Sequence, residues 1–374
     1  MKRGLYLHIP FCSKKCHYCH FAVTTDRRDA SRQRYFSSLE KEIQSVLTRF
    51  GRLSFDTLYF GGGTPSVLTP EELAGLVRLL KDSFYFSSGI EATCEMNPSD
   101  VSEEKAGILR ELGFNRISLG AQTFNDRLLN QIGRDHSAAE IEQAMTALKR
   151  AGFFNISLDL MIRLPGQAIR DVRDAVQRSV DLGAAQVSLY DLEIYDGTAF
   201  RVDQCAGRLN LPGEEEHFRQ RFAAEEILQQ SGYSPYEIST FAKPGFESRH
   251  NMIYWHNQEY LGLGPGAFSF LDGVRFQLAA GIDRYYEKCG TDDWGPDEKE
   301  VLDGESFETE KLITGMRLRE GIAAADFPNS RGWLDRNLQG LFREGLIEYR
   351  EPRARLTDTG RFLAEEVFAR LLVH

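Results

Sequence analysis

The sequence lacks any apolar run approaching the roughly 20 residues that a membrane-spanning helix requires. Its basic start is followed by Phe11-Cys12-Ser13-Lys14-Lys15, which interrupts the apolar stretch that a signal peptide would need. Basic residues are in deficit, with 45 Lys and Arg against 55 Asp and Glu and a net charge of -10. A basic surface for nucleic acid is therefore not expected. We expect a cytoplasmic protein that binds no nucleic acid and contacts membranes only peripherally, if at all.

Cysteine is scarce, and its spacing excludes a disulfide framework. Six cysteines in 374 residues do not make the small secreted scaffold that disulfides staple. Three of them stand singly and are expected to be small buried apolar residues: Cys94, Cys205 and Cys289. The other three lie within eight positions, at Cys12, Cys16 and Cys19. This clustering points to a metal centre.

Short apolar segments alternate with amphipathic helical patterns up to about residue 193. The predicted strands are Leu5–Ile9, Thr57–Phe60, Ile90–Glu95, Arg116–Gly120, Ile156–Met161 and Val187–Leu192. The predicted helices between them are Ser31–Phe50, Glu71–Phe84, Glu103–Leu112, Ala138–Ala151 and Ala168–Leu182. Six β-α units imply an α/β fold with a parallel sheet, either doubly wound or rolled into a partial (β/α)6 TIM-like barrel. Polar residues near the strand ends (Glu95, Asp159 and Asp191) favour the barrel, whose strand C-termini carry the chemistry.

The rest of the chain does not continue this alternation of strands and helices. We expect residues 1–200 to form the barrel, residues 201–300 a linking extension, and residues 301–374 a C-terminal winged-helix-like domain. The predicted helices of that last domain are Phe307–Arg319, Ser330–Glu344 and Asp358–Leu371, with a two-strand wing at Leu346–Tyr349 and Ala354–Leu356. Basic and acidic residues are balanced from Phe307 onward, so a structural or docking role is favoured over DNA binding.

The clustered cysteines form a C-x3-C-x2-C run directly after the first predicted strand. Compact loops of this kind hold iron–sulfur clusters through thiolates. Three thiolates leave one iron of a [4Fe–4S] cube open, and that iron can chelate the amino and carboxylate groups of S-adenosylmethionine (SAM), which an electron from the cluster then cleaves. The alternative is a structural zinc site. Zinc usually takes four ligands in two pairs, and a second C-x2-C is missing; His17 or His20 as fourth ligand is sterically awkward.

The chain resembles the radical SAM superfamily in this cysteine spacing and in Phe60-Gly61-Gly62-Gly63-Thr64-Pro65 after the second strand. It is further similar to the coproporphyrinogen-dehydrogenase-like branch through the segments 6–11, 95–98, 115–124, 133–134, 158–161 and 164–167. The resemblance implies these SAM-contacting residues: Tyr6, Gly62, Gly63, Thr64, Glu95, Gln122, Arg134 and Asp159. Arginine suits a carboxylate, although Arg134 could instead form a surface ion pair with Glu140 or Asp135.

Two features resemble the HemW-type heme chaperones of this branch more than the dehydrogenase. Phe21 stands where the dehydrogenase carries a further cysteine, and the first strand begins near residue 5, without a long N-terminal extension. The H-N-x-x-Y-W element at 250–255 is associated with heme in that family, which implies a heme site at His250, Tyr254 and Trp255. In the alternative, His250 caps a turn and the aromatic rings fill core. Arg163 and Phe268 depart from the family pattern, in which glycine and histidine are usual.

The resemblance implies a protein that binds heme near His250 and passes it to an acceptor protein, with the SAM site gating or driving the transfer. An electron donor such as flavodoxin or ferredoxin is implied as a further partner. The alternative function is a radical SAM enzyme acting on a porphyrin or another conjugated substrate, as a HemN-like methyltransferase or oxidase. Phe21 and the short N-terminus disfavour coproporphyrinogen dehydrogenation itself.

Overall fold

The computed structural model describes residues 2–291, 295–327, 338–350 and 352–372. Six β-α units open the chain, as expected. Their strands are β1 (Gly4–Ile9), β2 (Ser54–Gly62), β3 (Tyr85–Met96), β4 (Arg116–Gln122), β5 (Ile156–Ile162) and β6 (Gln186–Asp191). Their helices are α1 (Asp29–Phe50), α2 (Pro70–Ser83), α3 (Glu103–Leu112), α4 (Asp126–Gln131), α5 (Ala138–Arg150) and α6 (Ile169–Asp181). The short helix α4 is an addition to the predicted elements, and β3 begins at Tyr85 rather than Ile90.

The next elements, between residues 199 and 301, extend the barrel sheet. They are α7 (Ala199–Cys205), α8 (Glu214–Gln230), β7 (Ser234–Pro235), β8 (Thr240–Ala242), α9 (Arg249–Trp255), β9 (Tyr260–Leu263), β10 (Phe268–Leu271), β11 (Val274–Gln277), α10 (Ile282–Gly290) and β12 (Glu298–Val301). The strand order is β12-β11-β10-β9-β1-β2-β3-β4-β5-β6-β8-β7. The strands predicted only as a linking region thus belong to the same sheet as β1 to β6.

The strands β1 to β6 are parallel and lie side by side in chain order. Strand β9 adds a further parallel partner on the free edge of β1. On the other edge, β6 pairs with the antiparallel strand β8. The order of the sheet has two ends, so the fold is an open, partial TIM-like barrel, and the predicted fold class is confirmed. The C-terminal ends of its parallel strands face one common site.

The side chains of the first strand alternate between the apolar core and a polar interior face. In β1, Leu5, Leu7 and Ile9 are fully buried in the hydrophobic core under the helices. Tyr6 and His8 alternate with them and therefore point to the opposite face of the sheet. The helices begin at local signals as well. In α2, for example, Thr69 accepts from the backbone N–H of Glu72, whose carboxylate accepts from that of Thr69.

The C-terminal unit packs around its own apolar cluster. It consists of α11 (Gly304–Met316), β13 (Ile322–Ala323), β14 (Ile347–Arg350), β15 (Arg353–Leu356), α12 (Asp358–Phe362) and α13 (Ala364–Leu372). The expected wing is present as the antiparallel pair of β14 and β15. The single helix expected over Asp358–Leu371 is wrong, because Leu363 leaves helical geometry and separates α12 from α13.

Two further expectations concern the same end of the chain. The helix predicted over Ser330–Glu344 falls mostly outside the described residues. Within its described part, residues 338–343 are helical. The division into 1–200, 201–300 and 301–374 stays a prediction. Within the described ranges, each helix is too short or too polar to cross a bilayer.

Candidate functional site

A cavity of about 430 Å³ lies at the C-terminal ends of the parallel strands. It collects ten of the eleven residues predicted for the cluster and SAM: Cys12, Cys16, Cys19, Gly62, Gly63, Thr64, Glu95, Gln122, Arg134 and Asp159. The eleventh, Tyr6, does not line the cavity; its hydroxyl bonds to His8 Nδ1 at 3.1 Å and its ring packs against Tyr59. The cavity has the volume of an ordinary cofactor site.

The three cysteines line this cavity from the loop after β1. Cys12 is buried, and its sulfur accepts a hydrogen bond from Thr64 Oγ1 at 3.6 Å. Cys16 Sγ accepts from Arg134 Nη1 at 3.5 Å. Burial raises the pKa of the Cys12 thiol to about 11, so thiolate formation there depends on a bound metal centre.

The glycine turn after β2 lines the cavity and has no room for side chains. Gly62 has a φ of 106°, and a Cβ at this position would lie 2.5 Å from the His8 ring. A Cβ on Gly63 would lie 2.7 Å from the carbonyl oxygen of Phe11. Bare backbone consequently faces the cavity at this turn.

Glu95, at the end of β3, is one of the four acidic residues that line the cavity. Tyr59 donates its hydroxyl to Oε1 at 2.8 Å, and the backbone N–H of Gly62 donates to Oε2 at 3.1 Å. Burial raises the pKa of Glu95 to about 7, despite these two hydrogen bonds. A cationic ligand group beside Glu95 would favour its ionised form.

Arg134 is inside the protein, and the surface ion pair weighed for it is wrong. Its Nη2 donates to the carbonyl oxygen of Gly120 at 2.7 Å and to Asn97 Oδ1. Glu140 instead caps α5 through Ser137. The Nε of Arg134 is buried and has no hydrogen-bond partner within the described ranges. An unsatisfied buried donor next to the cavity is suited to a carboxylate ligand.

The ends of β4 and β5 contribute two further polar groups. Gln122 has a φ of 64°, an uncommon conformation for a residue with a side chain and one that often marks a functional position. Asp159 is held by Ser118, whose hydroxyl donates to Oδ2 at 2.7 Å, and burial raises its pKa. Both side chains line the cavity and offer hydrogen-bonding groups for the hydroxyls of a ribose.

Comparisons with known proteins show the family to which the chain belongs. The radical SAM superfamily model matches residues 6–178. Heme chaperone HemW of Lactococcus lactis is 37% identical over 98% of this chain and 97% of its own. Heme chaperone HemW of Bacillus subtilis is 35% identical over 99% of both chains. The chain belongs to the HemW family of radical SAM proteins.

The solved coproporphyrinogen III oxidase (HemN) from Escherichia coli shares the fold, with a TM-score of 0.86, 22% identity, and coverage of 99% of this chain and 90% of that one. Membership of the radical SAM superfamily assigns SAM and a [4Fe–4S] cluster as the cofactors of this HemW-family chain. When bound, such a cluster would supply the electron for reductive cleavage of SAM.

The heme-linked residues of the sequence lie away from this cavity. His250 is 1% exposed in the barrel interior. Its Nδ1 bonds to Thr57 Oγ1 at 2.7 Å and its Nε2 to the Tyr254 hydroxyl at 2.8 Å. Burial lowers its pKa to about 3. Trp255 lies under the guanidinium of Arg317 at 4.5 Å. His250 therefore offers no free nitrogen in this structure; Ser248, rather than His250, caps α9.

Sequence reasoning missed Tyr59 and Asn97 as members of the site. Tyr59 alternates along β2 with Leu58 and Phe60, which are buried in the core, so the period of the strand could have placed it on the interior face.

The structure also describes the two residues that depart from the family pattern, Arg163 and Phe268. Arg163 adopts a φ of 63°, which explains why glycine is usual there. Phe268 is 41% exposed in β10.

Proposed function

We propose that this protein binds heme and delivers it to an acceptor protein. The observation that carries the proposal is the similarity to proteins named heme chaperone HemW along nearly the entire chain, at 31% identity or more. That similarity includes the C-terminal unit as well as the barrel. The balanced charge of the C-terminal unit is compatible with docking to a protein partner.

The cofactor site is proposed residue by residue. Cys12, Cys16 and Cys19 hold the cluster. SAM is contacted by Gly62, Gly63, Thr64, Glu95, Gln122, Arg134 and Asp159, with Tyr6 acting through its neighbour Tyr59. This assignment is supported by the shared cavity and by the buried, unpaired Nε of Arg134. Flavodoxin or ferredoxin is proposed as the electron donor.

The role of His250, Tyr254 and Trp255 toward heme stays a prediction. Direct coordination by His250 would require both of its hydrogen bonds to break. The imidazole and the Tyr254 hydroxyl are better placed to hold α9 against the barrel interior. A contribution of this element to heme handling through the fold is therefore favoured over ligation.

Anaerobic reconstitution followed by hemin titration tests the proposed function. Visible difference spectra, recorded against the cluster-loaded protein with and without SAM, are expected to show saturable binding of one hemin per chain. Incubation of the hemin-loaded protein with apomyoglobin as a reporter then measures release. The absence of saturable hemin binding would refute the proposal.

A second function is favoured by the completeness of the SAM cavity, which a passive carrier does not need. The chain would then be a radical SAM enzyme acting on a porphyrin or another conjugated substrate, as a methyltransferase or oxidase. Substrate-dependent formation of 5′-deoxyadenosine or S-adenosylhomocysteine would distinguish this enzyme from a carrier. Protoporphyrinogen formation is not expected, because Phe21 stands where the dehydrogenase has a further cysteine.

A further inference from the structure

Three aromatic side chains form an exposed rim on the SAM cavity. The imidazole of His20 stacks on Tyr195, with ring centroids 3.8 Å apart and planes tilted by 29°. His20 also lies against Phe21, at 4.6 Å between centroids. Phe21 is 55% and Tyr195 39% exposed. All three line the same cavity as Cys19, and exposed aromatic rings gathered at a cavity mouth mark a binding surface.

His20 and His256 differ from the other described histidines because their ring nitrogens make no hydrogen bond to described residues. Five of them make at least one ring hydrogen bond: His8, His17, His136, His217 and His250. The ring of His20 makes none within the described ranges, is exposed, and is held in place by stacking alone. An oriented imidazole with an open nitrogen is a ready axial ligand for a porphyrin iron.

His256 is the other exposed histidine that the structure describes, and its surroundings argue against it. It lies at the N-terminal ends of the strands, beside a cavity of about 850 Å³. Among the described residues lining that cavity, none is Phe, Tyr or Trp, and the Nδ1 of His256 is 3.9 Å from the carboxylate of Glu320. The lining of that cavity is therefore less complementary to a flat apolar macrocycle than the rim of the SAM cavity is.

We propose that heme binds across the rim formed by His20, Phe21 and Tyr195, with His20 as axial ligand of the iron. This inference rests on the proposed function and names its site. An imidazole that ligates iron stands upright on the porphyrin plane, so Tyr195, nearly parallel to it, meets the porphyrin edge-on. Edge-to-face contact is a favoured geometry for aromatic rings.

Charge at the rim agrees with the same ligand. The ammonium groups of Lys14 and Lys15 are exposed in the loop between Cys12 and Cys16, and both residues line the cavity. These two ammonium groups can form ion pairs with the two propionates of heme. The carboxylate of Glu193 accepts the hydroxyl of Tyr195. Heme bound here covers the mouth of the SAM cavity, which places the cargo beside the cofactor.

The test uses the anaerobically reconstituted full chain and hemin as probe, read by difference absorption and by electron paramagnetic resonance of the ferric iron. His20→Ala is expected to lose the histidine-ligated spectrum and to bind hemin roughly tenfold more weakly, which corresponds to about 1.4 kcal/mol. Free imidazole added to His20→Ala should restore that spectrum, a rescue that a merely structural role would not give. His256→Ala is the matched control and should retain the wild-type spectrum.

The aromatic contacts are tested separately. Tyr195→Ala and Phe21→Ala should each weaken hemin binding roughly threefold to tenfold. Phe222→Ala, which removes a ring that is 62% exposed but lies outside the cavity lining, should leave the affinity unchanged.

The outcomes separate this site from the proposed function. A wild-type protein that binds no hemin overturns both. A wild-type protein that binds hemin, together with His20→Ala of unaltered spectrum and affinity, overturns only the rim site. Loss of the histidine-ligated spectrum in His250→Ala or His256→Ala, with His20→Ala unaffected, also overturns the rim site. Iron and sulfide content, measured for every variant, shows that each one still carries the cluster.

Discussion

The imidazole of His250 lies on the ring of Tyr59, with centroids 5.0 Å apart and planes tilted by 30°. Tyr59 in turn donates its hydroxyl to Glu95, and Glu95 accepts the backbone N–H of Gly62. A continuous series of contacts therefore joins the heme-linked sequence element to the glycine turn of the SAM site. We interpret His250 as a positioning residue, whose effect on cofactor binding passes through Tyr59.

His250→Ala is expected to lower both stability and SAM affinity. The change removes the stacking on Tyr59 and leaves the hydroxyls of Thr57 and Tyr254 without their partner in the barrel interior. The expected loss in the free energy of unfolding is about 2–4 kcal/mol. Chemical denaturation measures this loss, and equilibrium dialysis measures SAM binding.

His256→Ala, on the same segment but exposed, serves as the control and should change stability by no more than about 0.5 kcal/mol. If His250→Ala unfolds at the wild-type denaturant concentration and binds SAM normally, the positioning role is wrong.

Gly62→Ala is expected to abolish SAM binding. The added Cβ would lie 2.5 Å from the His8 ring, and the φ of 106° is strained for any residue with a side chain. The turn must shift, and with it the N–H that Glu95 accepts. Isothermal titration with SAM, alongside thermal unfolding, reports the two effects.

Gly75→Ala is a matched control, because no atom lies within 4 Å of a Cβ at this position in α2. Alanine in a helix interior should stabilise the protein by roughly 0.5–1 kcal/mol and leave SAM binding unchanged. If Gly62→Ala and Gly75→Ala bound SAM with equal affinity, the idea that the backbone at Gly62 approaches the cofactor closely would be wrong.

The pH dependence of stability carries a contribution from Glu42. This buried carboxylate accepts hydrogen bonds from the N–H of Gly264 at 2.9 Å and the hydroxyl of Tyr285 at 2.8 Å. Burial nevertheless raises its pKa from 4.5 to about 7. The folded state then binds more protons than the unfolded chain between these values. The contribution of Glu42 to the free energy of unfolding therefore falls as pH rises from about 4.5 to about 7.

Glu42→Gln removes this titration and keeps an acceptor for both donors. The stability of the variant relative to wild type should therefore increase from about pH 4.5 to about pH 7 and remain level above it. Urea unfolding at a series of pH values measures this difference, and Glu40→Gln, exposed on the same helix, serves as the control. If the difference in stability between Glu42→Gln and wild type did not change with pH, folding would leave the pKa of Glu42 unchanged.

The local parts of this architecture could be predicted from the sequence because their signals are local. The six parallel strands follow from alternating polarity and helix starts, and the cysteine loop follows from spacing alone. Strand β9 was missed, since Tyr260–Leu263 is four residues long and contains a glycine. Its pairing with β1 is a contact between residues more than 250 positions apart, which no short window contains.

The candidate site shows the same limit. Spacing could nominate Arg134 but could not decide between a surface ion pair and a buried donor, because burial depends on how the barrel closes around it. The stacking of His250 on Tyr59 joins α9 to β2, and sequence pattern alone suggested a ligand for iron. An imidazole with both nitrogens bonded and one with a free nitrogen are identical in sequence.

Arg134→Lys is expected to weaken SAM binding while the chain still folds. Three of the five N–H groups of the guanidinium already serve Cys16, Gly120 and Asn97, which leaves Nε and the second N–H of Nη1 for a ligand. A lysine ammonium is a single point and cannot span these acceptors and a carboxylate together. We expect at least a roughly tenfold weaker affinity for SAM, since a charge-assisted bond is worth about 1.5–3 kcal/mol. Equilibrium dialysis with labelled SAM, corrected for the iron content of each preparation, measures it, and a lysine variant of wild-type affinity would remove Arg134 from the SAM site.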